Sequence, residues 1–284
     1  MFKIINFENL LYTIQNLYAI AKDEQLISYS NRLKPFIQLE GLPEVTSFRQ
    51  ERKADYGDFH FLHSYLVDKL VKHFRDKCKT IETDKAKEIA LLKKFFNYLK
   101  KDFDLGFINL NYDNVILHTL PDLKTGFEKD SGLFNRDIIY QSDKEWNFCY
   151  HLHGSVHFDM QGGKRVEMHK ILWNSNLTSQ FSQNSSGRSG TYTSEGIDHL
   201  NSTIITGLDK TNQLLKEPFG TYFMQLDRLV YEADSILFIG YGFNDLHLNS
   251  IFPFIRYDKS KIRKIVVIDW ASKDEDGLNF RHDN

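Results

Sequence analysis

The sequence predicts an α/β fold: a mostly parallel sheet flanked by helices, with an N-terminal helical portion and a long polar loop insertion. Three observations carry that expectation. Apolar residues recur at helical spacing through the first hundred positions; four short runs rich in β-branched and aromatic residues follow, with a helical segment ahead of the third; and a stretch dominated by Ser, Asn, Thr and Gly separates the second run from the third.

The helical portion comes first. From Asn6 onward, Leu10, Leu11, Ile14, Leu17, Tyr18 and Ala21 fall on one face of an opening helix. Phe59, Leu62, Leu66, Leu70 and Phe74 mark a second helix over residues 58–77, and "KAKEIALLKKFFNYLKK" makes a third over 85–101. In the third, Lys85, Lys87, Lys93, Lys94, Lys100 and Lys101 lie opposite Ile89, Leu92, Phe96 and Leu99, the pattern of a solvated face rather than of a basic binding patch. The period then changes. "FINL" at 107–110, "FCYHL" at 148–152, "SILFIGY" at 235–241 and "KIVVID" at 264–269 read as buried strands. Residues 174–196 cannot build a core and are expected to form a mobile loop, placed to act as a lid. "GTYFMQLDRLVYEAD", with Phe223, Leu226 and Val230 in helical register, supplies the crossover into the third strand.

Composition narrows the function classes. Lys+Arg at 36 against Asp+Glu at 38 leaves a formal charge of -2, which points to no membrane partner and no direct contact with nucleic acid. Cys78 and Cys149 are too few for a disulfide framework or a four-cysteine zinc site, so a reduced, cytoplasmic setting is expected. Lys3 and Glu8 interrupt the N-terminal apolar stretch, which fits neither a signal peptide nor a span of about 20 apolar residues.

Polar residues or glycines gather at or just beyond the end of each of the four runs. Asn111 and Asp113 follow Phe107, Ile108 and Leu110; His153, Gly154 and Ser155 follow the second run; Gly240, Gly242, Asn244 and Asp245 follow the third; Asp269 closes the fourth. In an open parallel sheet these are the carboxyl ends, where ligands bind. Gly240 and Gly242 would let backbone amides approach a phosphate ahead of a helix starting at Asn244 or Asp245, and a plain strand-to-helix turn accounts for the same residues equally well. Asp269 suits a ribose hydroxyl acceptor or an ordinary exposed strand end. His151, His157 and Cys149 near His153 raise a metal site, but no matching ligand set occurs elsewhere; no metal is expected, and His153 is read as a general base.

"INLNYDNV", "HLHGSV" and "FIGYGFNDLHLN", followed by "IVVID", resemble the signature of sirtuin-like domains, most closely those of bacterial antiphage defence proteins; "IITGLDK" at 204–210 and "PFGTYF" at 218–223 fit the same subgroup. The resemblance covers roughly residues 100–270. It implies a Rossmann-like fold, NAD as substrate, catalytic roles for Asn111 and His153 with Asp113 beside them, and a phosphate and ribose region at Gly240, Gly242, Asn244, Asp245 and Asp269. The expected activity is that of an NAD glycohydrolase effector in abortive infection. Its expected partners are a second copy or a defence complex, and a phage protein or other infection trigger. A nucleotide-sensing or structural subunit without turnover and an NAD-dependent protein deacylase are the alternatives, the last disfavoured by the missing zinc ribbon. The chain is read as a single sirtuin-like domain over 1–284, with 1–101 the mainly helical part and 102–284 the part that bears the motifs. The family's initial strand and Gly-Ala-Gly phosphate loop do not precede the first helix, so the chain is expected to be a fragment of a longer protein.

Overall fold

The computed structural model describes residues 7–22, 56–161, 170–179, 191–192, 198–199, 202–205, 214, 216–252, 264–269, 271–274 and 277–280. The chain divides into two compact units, Met1–Phe219 and Gly220–Asn284. Among the described residues no helix is long and apolar enough to cross a membrane.

In the first unit the helical portion is as the periodicity predicts. Helices α1 (Phe7–Lys22) and α2 (Tyr56–Asp84) pack through Leu11, Val67 and Val71, all fully buried, with Ile204 completing the cluster and Phe7, Leu66, Leu70 and Tyr112 around it. A second cluster sets Ile14 and Tyr18 against Phe59. Helix α2 runs seven residues past the predicted end at 77, through a polar tail in which Lys79 donates to Asp76 at 3.0 Å. Helix α3 (Ala86–Leu99) keeps Lys85, Lys87, Lys93, Lys94, Lys100 and Lys101 exposed and buries Phe96, confirming the solvated face.

The first strand begins one position before its predicted run, and the other three begin where their runs do. β1 (Gly106–Asn109) pairs in parallel with β2 (Phe148–His151). Every residue of β2 is buried, whereas Phe107 and Ile108 of β1 are only half-buried and Leu110 lies beyond the strand. The covering layer explains this: Phe96 meets Phe107 edge-on at 4.9 Å, and Leu120, Leu123 and Cys149 close the cluster. β2 gains a second neighbour on its other side, where the Lys124 carbonyl accepts from Cys149 N–H at 2.9 Å. Gly106 is required opposite Phe148, since a Cβ there would lie 2.1 Å from the ring.

The hydrophobic pattern does not disclose helices α4 (Val115–Thr119) and α5 (Arg136–Lys144), nor the antiparallel ladder of β3 (Phe158–Gln161) with β4 (Lys170–Trp173). Of the predicted loop over 174–196, residues 174–179 are irregular; Thr191–Tyr192 forms β5, paired with β6 (Asp198–His199), and 180–190 and 193–197 lie outside the described residues.

Helix α6 (Phe219–Glu232) leads into the second unit, with Tyr222, Leu226, Leu229 and Val230 on its buried face. There β7 (Ser235–Ile239) pairs in parallel with β8 (Lys264–Ile268), the short helix α7 (Leu246–Asn249) lies between them in sequence, and β9 (Ala271–Asp274) pairs with β10 (Gly277–Phe280). The expectation that both parallel strands are buried fails here. All five residues of β8 are exposed, and on β7 Ile239 is 52% exposed, because the described ladder has two strands; Ile236 and Phe238 are half-buried, Phe238 against Tyr241, Phe243 and Phe252. The α/β class holds, with two parallel and three antiparallel two-stranded ladders among the described residues rather than one continuous Rossmann sheet.

The core contacts make one stability expectation quantitative. Leu11→Ala should cost about 2–5 kcal/mol in urea unfolding, the usual loss for a fully buried leucine, while Lys93→Glu on the solvated face of α3 should stay within about 0.5 kcal/mol. Equal losses in the two variants would overturn this assignment of core and surface.

Candidate active site

The register of the first parallel ladder sets Asn109 directly opposite His151. Two residues beyond each, the chain reaches Asn111 and His153, so both leave the carboxyl end of the same ladder on adjacent strands. Asn111 is exposed, Asp113 half-buried, and His153 only 5% exposed.

The turn that carries Asn111 is tied down at every residue. Asn109 Oδ1 accepts from Asn111 N–H at 3.0 Å, and Asn109 Nδ2 donates to the Asp113 carbonyl at 3.2 Å. The Tyr112 carbonyl accepts from Val156 N–H at 2.8 Å and its hydroxyl donates to the Ile205 carbonyl at 3.1 Å, while its ring meets Phe74 edge-on. Asp113 Oδ1 accepts from Val115 N–H at 3.0 Å, at the first turn of α4. Burial pushes the Asp113 carboxyl above the ordinary carboxylate range.

The turn that carries His153 needs its glycine. Gly154 sits at φ +109°, and a Cβ would lie 2.6 Å from the Thr203 carbonyl and 2.8 Å from Ile204 Cα. That close approach lets Ile205 N–H donate to the His153 carbonyl at 2.8 Å, so residues 202–205 back the turn directly. The motif "IITGLDK" begins on this backing segment, and its residues 206–210 lie outside the described residues.

The neighbouring histidines are structural. His157 Nδ1–H donates to the Asn174 carbonyl at 2.9 Å, which leaves Nε2 to accept from Asn114 Nδ2 at 3.3 Å, and the ring stacks on Trp173 at 4.5 Å. Both nitrogens are thereby engaged. His151 is fully buried, with Nδ1 3.4 Å from Asn109 Nδ2 and Nε2 3.9 Å from Cys149 Sγ. Burial lowers His157 to about 4 and His151 to about 3, so both are neutral at pH 7. Asn109, Asn114 and Asn174 were not legible as site residues from hydrophobic pattern, although the polar Asn109 inside an otherwise apolar strand was a usable signal.

The second unit holds the remaining candidates at its own parallel ladder. Gly240 lies at φ +62° just past β7, but its amide donates to the Ile268 carbonyl at 2.8 Å and is therefore not open to a phosphate. Gly242 is half-buried, with a virtual Cβ 3.2 Å from Asn244 Nδ2. Phe243 takes the left-handed conformation at φ +50°, held by Asn249, whose Nδ2 donates to the Phe243 carbonyl at 2.6 Å and whose Oδ1 accepts from the Tyr241 hydroxyl at 2.9 Å. Asp245 caps the start of α7 in sequence without a side-chain cap bond, and that helix is only four residues long. Asp269 directly follows β8 and is half-buried.

A family model described as a SIR2-like domain matches residues 106–283, well over half of the chain, and includes all of these residues. The chain belongs to the SIR2-like domain family, which ties it to NAD chemistry. None of the curated proteins compared with it matches.

The buried neutral histidines make stability depend on pH. Their folded values lie below the unfolded value of about 6.5, so their contribution is fully present above pH 6.5 and is lost as pH falls through about 4. The melting temperature should fall steadily from pH 7 to pH 4.5, and His157→Gln, which cannot take up the proton, should flatten that fall. An unchanged slope in the variant would remove His157 from the account.

Proposed function

We propose that the chain is an NAD glycohydrolase that cleaves NAD to nicotinamide and ADP-ribose, acting as an effector of antiphage abortive infection. The observation that supports this best is the adjacent emergence of Asn111 and His153 from paired parallel strands in a SIR2-like domain. Nicotinamide leaves NAD as a neutral molecule from a pyridinium, so its departure needs no general acid, and the carboxylate pair of ordinary glycoside hydrolases is unnecessary. The remaining tasks are to orient the ribose and a water, and to accept a proton. Asn111, an uncharged amide on a clamped turn, suits the first task. His153, an imidazole shielded from bulk solvent, suits the second. Asp113 adds a carboxyl beside them, and Gly242, Asn244, Asp245 and Asp269 are assigned to the phosphate and ribose region.

The two cysteines of the chain, Cys78 and Cys149, are both free and buried, so they cannot supply the four thiolates of a zinc ribbon, which favours hydrolysis over protein deacylation. No metal enters the proposed reaction. A second copy or a defence complex and an infection trigger are the proposed partners, and the cytoplasm the proposed location.

Incubation with NAD should release nicotinamide and ADP-ribose in equal amounts. Asn111→Ala should abolish that release without loss of stability, since the side chain is exposed, and His153→Gln, which preserves buried volume, should lower kcat by about 10²–10⁴-fold. Undiminished NAD consumption in either variant refutes its assignment. O-acetyl-ADP-ribose formed from an acetylated peptide would instead establish a deacylase, and a thermal shift with NAD but no turnover would establish a sensor.

A further inference from the structure

We infer that Asn109 is a positioning residue that sets the backbone of the Asn111 turn, with buried His151 holding the Asn109 amide in its working orientation. The inference rests on the proposed reaction for its kinetic consequence and on the hydrogen-bond geometry for its structural one.

Both ends of the Asn109 amide are engaged in this task. Its Oδ1 faces an N–H, that of Asn111, at 3.0 Å, and its Nδ2 faces a carbonyl, that of Asp113, at 3.2 Å. A flipped amide would set donor against donor and oxygen against oxygen, so the orientation is unique. The second Nδ2 proton points to His151 Nδ1 at 3.4 Å, which accepts it in the tautomer protonated at Nε2. Asn109 is 5% exposed and His151 fully buried, so water does not replace these partners cheaply.

The bond from Asn109 Oδ1 to the N–H two residues on closes an Asx-turn. It bends the chain out of β1 immediately after the strand ends, and the Nδ2 bond to the Asp113 carbonyl fixes where the bend finishes. Asn111 and Asp113 are thus the two positions that one side chain defines. The backbone of Asn109 is anchored separately, since its carbonyl accepts from Leu152 N–H at 3.0 Å in the strand pairing. Removing the side chain therefore frees the turn while leaving the ladder in place.

The test compares Asn109→Ala with Asn109→Ser in the full chain, because a serine hydroxyl can close the same turn more weakly. In Asn109→Ala, kcat for nicotinamide release should fall about 10–100-fold, the scale of a small misplacement of a reacting group, with KM for NAD within about twofold; Asn109→Ser should recover part of the loss. Hydrogen exchange at the Asn111 amide should quicken at least about tenfold in Asn109→Ala and less in Asn109→Ser, while the Leu152 amide keeps its protection in both. A variant that loses protection at Leu152 as well has lost the ladder, and that result overturns a positioning role. Unchanged kcat together with unchanged Asn111 exchange also overturns it. If the wild-type chain releases no nicotinamide, the proposed reaction falls, and exchange at Asn111 alone then decides whether Asn109 holds the turn.

Discussion

The parallel pairing of β1 with β2 is the constraint on which the first unit depends. Its register sets Asn109 opposite His151, and everything at the carboxyl end of the ladder is measured from that pair. A slip of one residue would turn each side chain to the other face. It would remove Phe107 from Phe96, force the Phe148 ring against a residue other than Gly106, and separate the Asn109 amide from the imidazole it touches. Because β2 is bonded on both sides, to β1 and to Lys124, its register is held more firmly than that of a free edge. The geometry of the turns thus follows from a ladder only four residues long.

The turns answer a problem the sequence poses on its surface, namely why polar residues interrupt an apolar run. Burying Asn109, Asn114, His151 and His157 would each be unfavourable alone. Most of their polar atoms meet partners, Asn109 with the backbone of residues 111 and 113 and His157 with Asn114 and Asn174, while the Asn114 Oδ1 is buried without one. Such a network restricts the arrangements its members can take, which trades stability for a defined geometry. It also explains why the histidines must stay neutral. With His157 Nδ1–H committed to the Asn174 carbonyl, a proton added at Nε2 would set N–H against the Asn114 amide nitrogen.

Much of this was legible in the sequence, and the exceptions are instructive. Helical spacing found α1, α2, α3 and α6, and β-branched runs found β1, β2, β7 and β8 to within two residues. Periodicity missed α4 and α5, which span five and nine residues and are too short to establish a repeat. It also missed the β3–β4 hairpin, because "FDMQ" and "KILW" carry too few residues to show alternation. Burial was misjudged where apolar content was taken for coverage: Ile265, Val266, Val267 and Ile268 are as apolar as any core strand yet are exposed in the described ladder. The motif residues were read correctly as strand-end groups, since a polar residue directly after an apolar run is a local signal. Their partners were not, since hydrogen bonds such as His157 to Asn174 or Tyr112 to Ile205 join positions far apart in the chain.

The two units place their glycines to different effect, and the contrast bears on how the proposed site would work. Gly154 is locked: its left-handed backbone presses against Thr203 and Ile204, so the His153 turn has no room to move. Gly240 has the same backbone hand but open space where a Cβ would lie, and in the loop after it Asn249 bonds the Phe243 carbonyl and the Tyr241 hydroxyl, with Phe243 in a strained conformation. Strain held by a few side-chain bonds is released more readily than strain enforced by packed backbone. In the proposed reaction the proton acceptor and the orienting amide must be set before substrate arrives, because misplacement there costs rate directly. Groups that bind phosphate and ribose gain more from adjusting on contact, since their energy is realised in binding rather than in the bond-breaking step. A first turn fixed by packed backbone and a second loop held by side-chain bonds give the distribution of stiffness that this division of labour calls for.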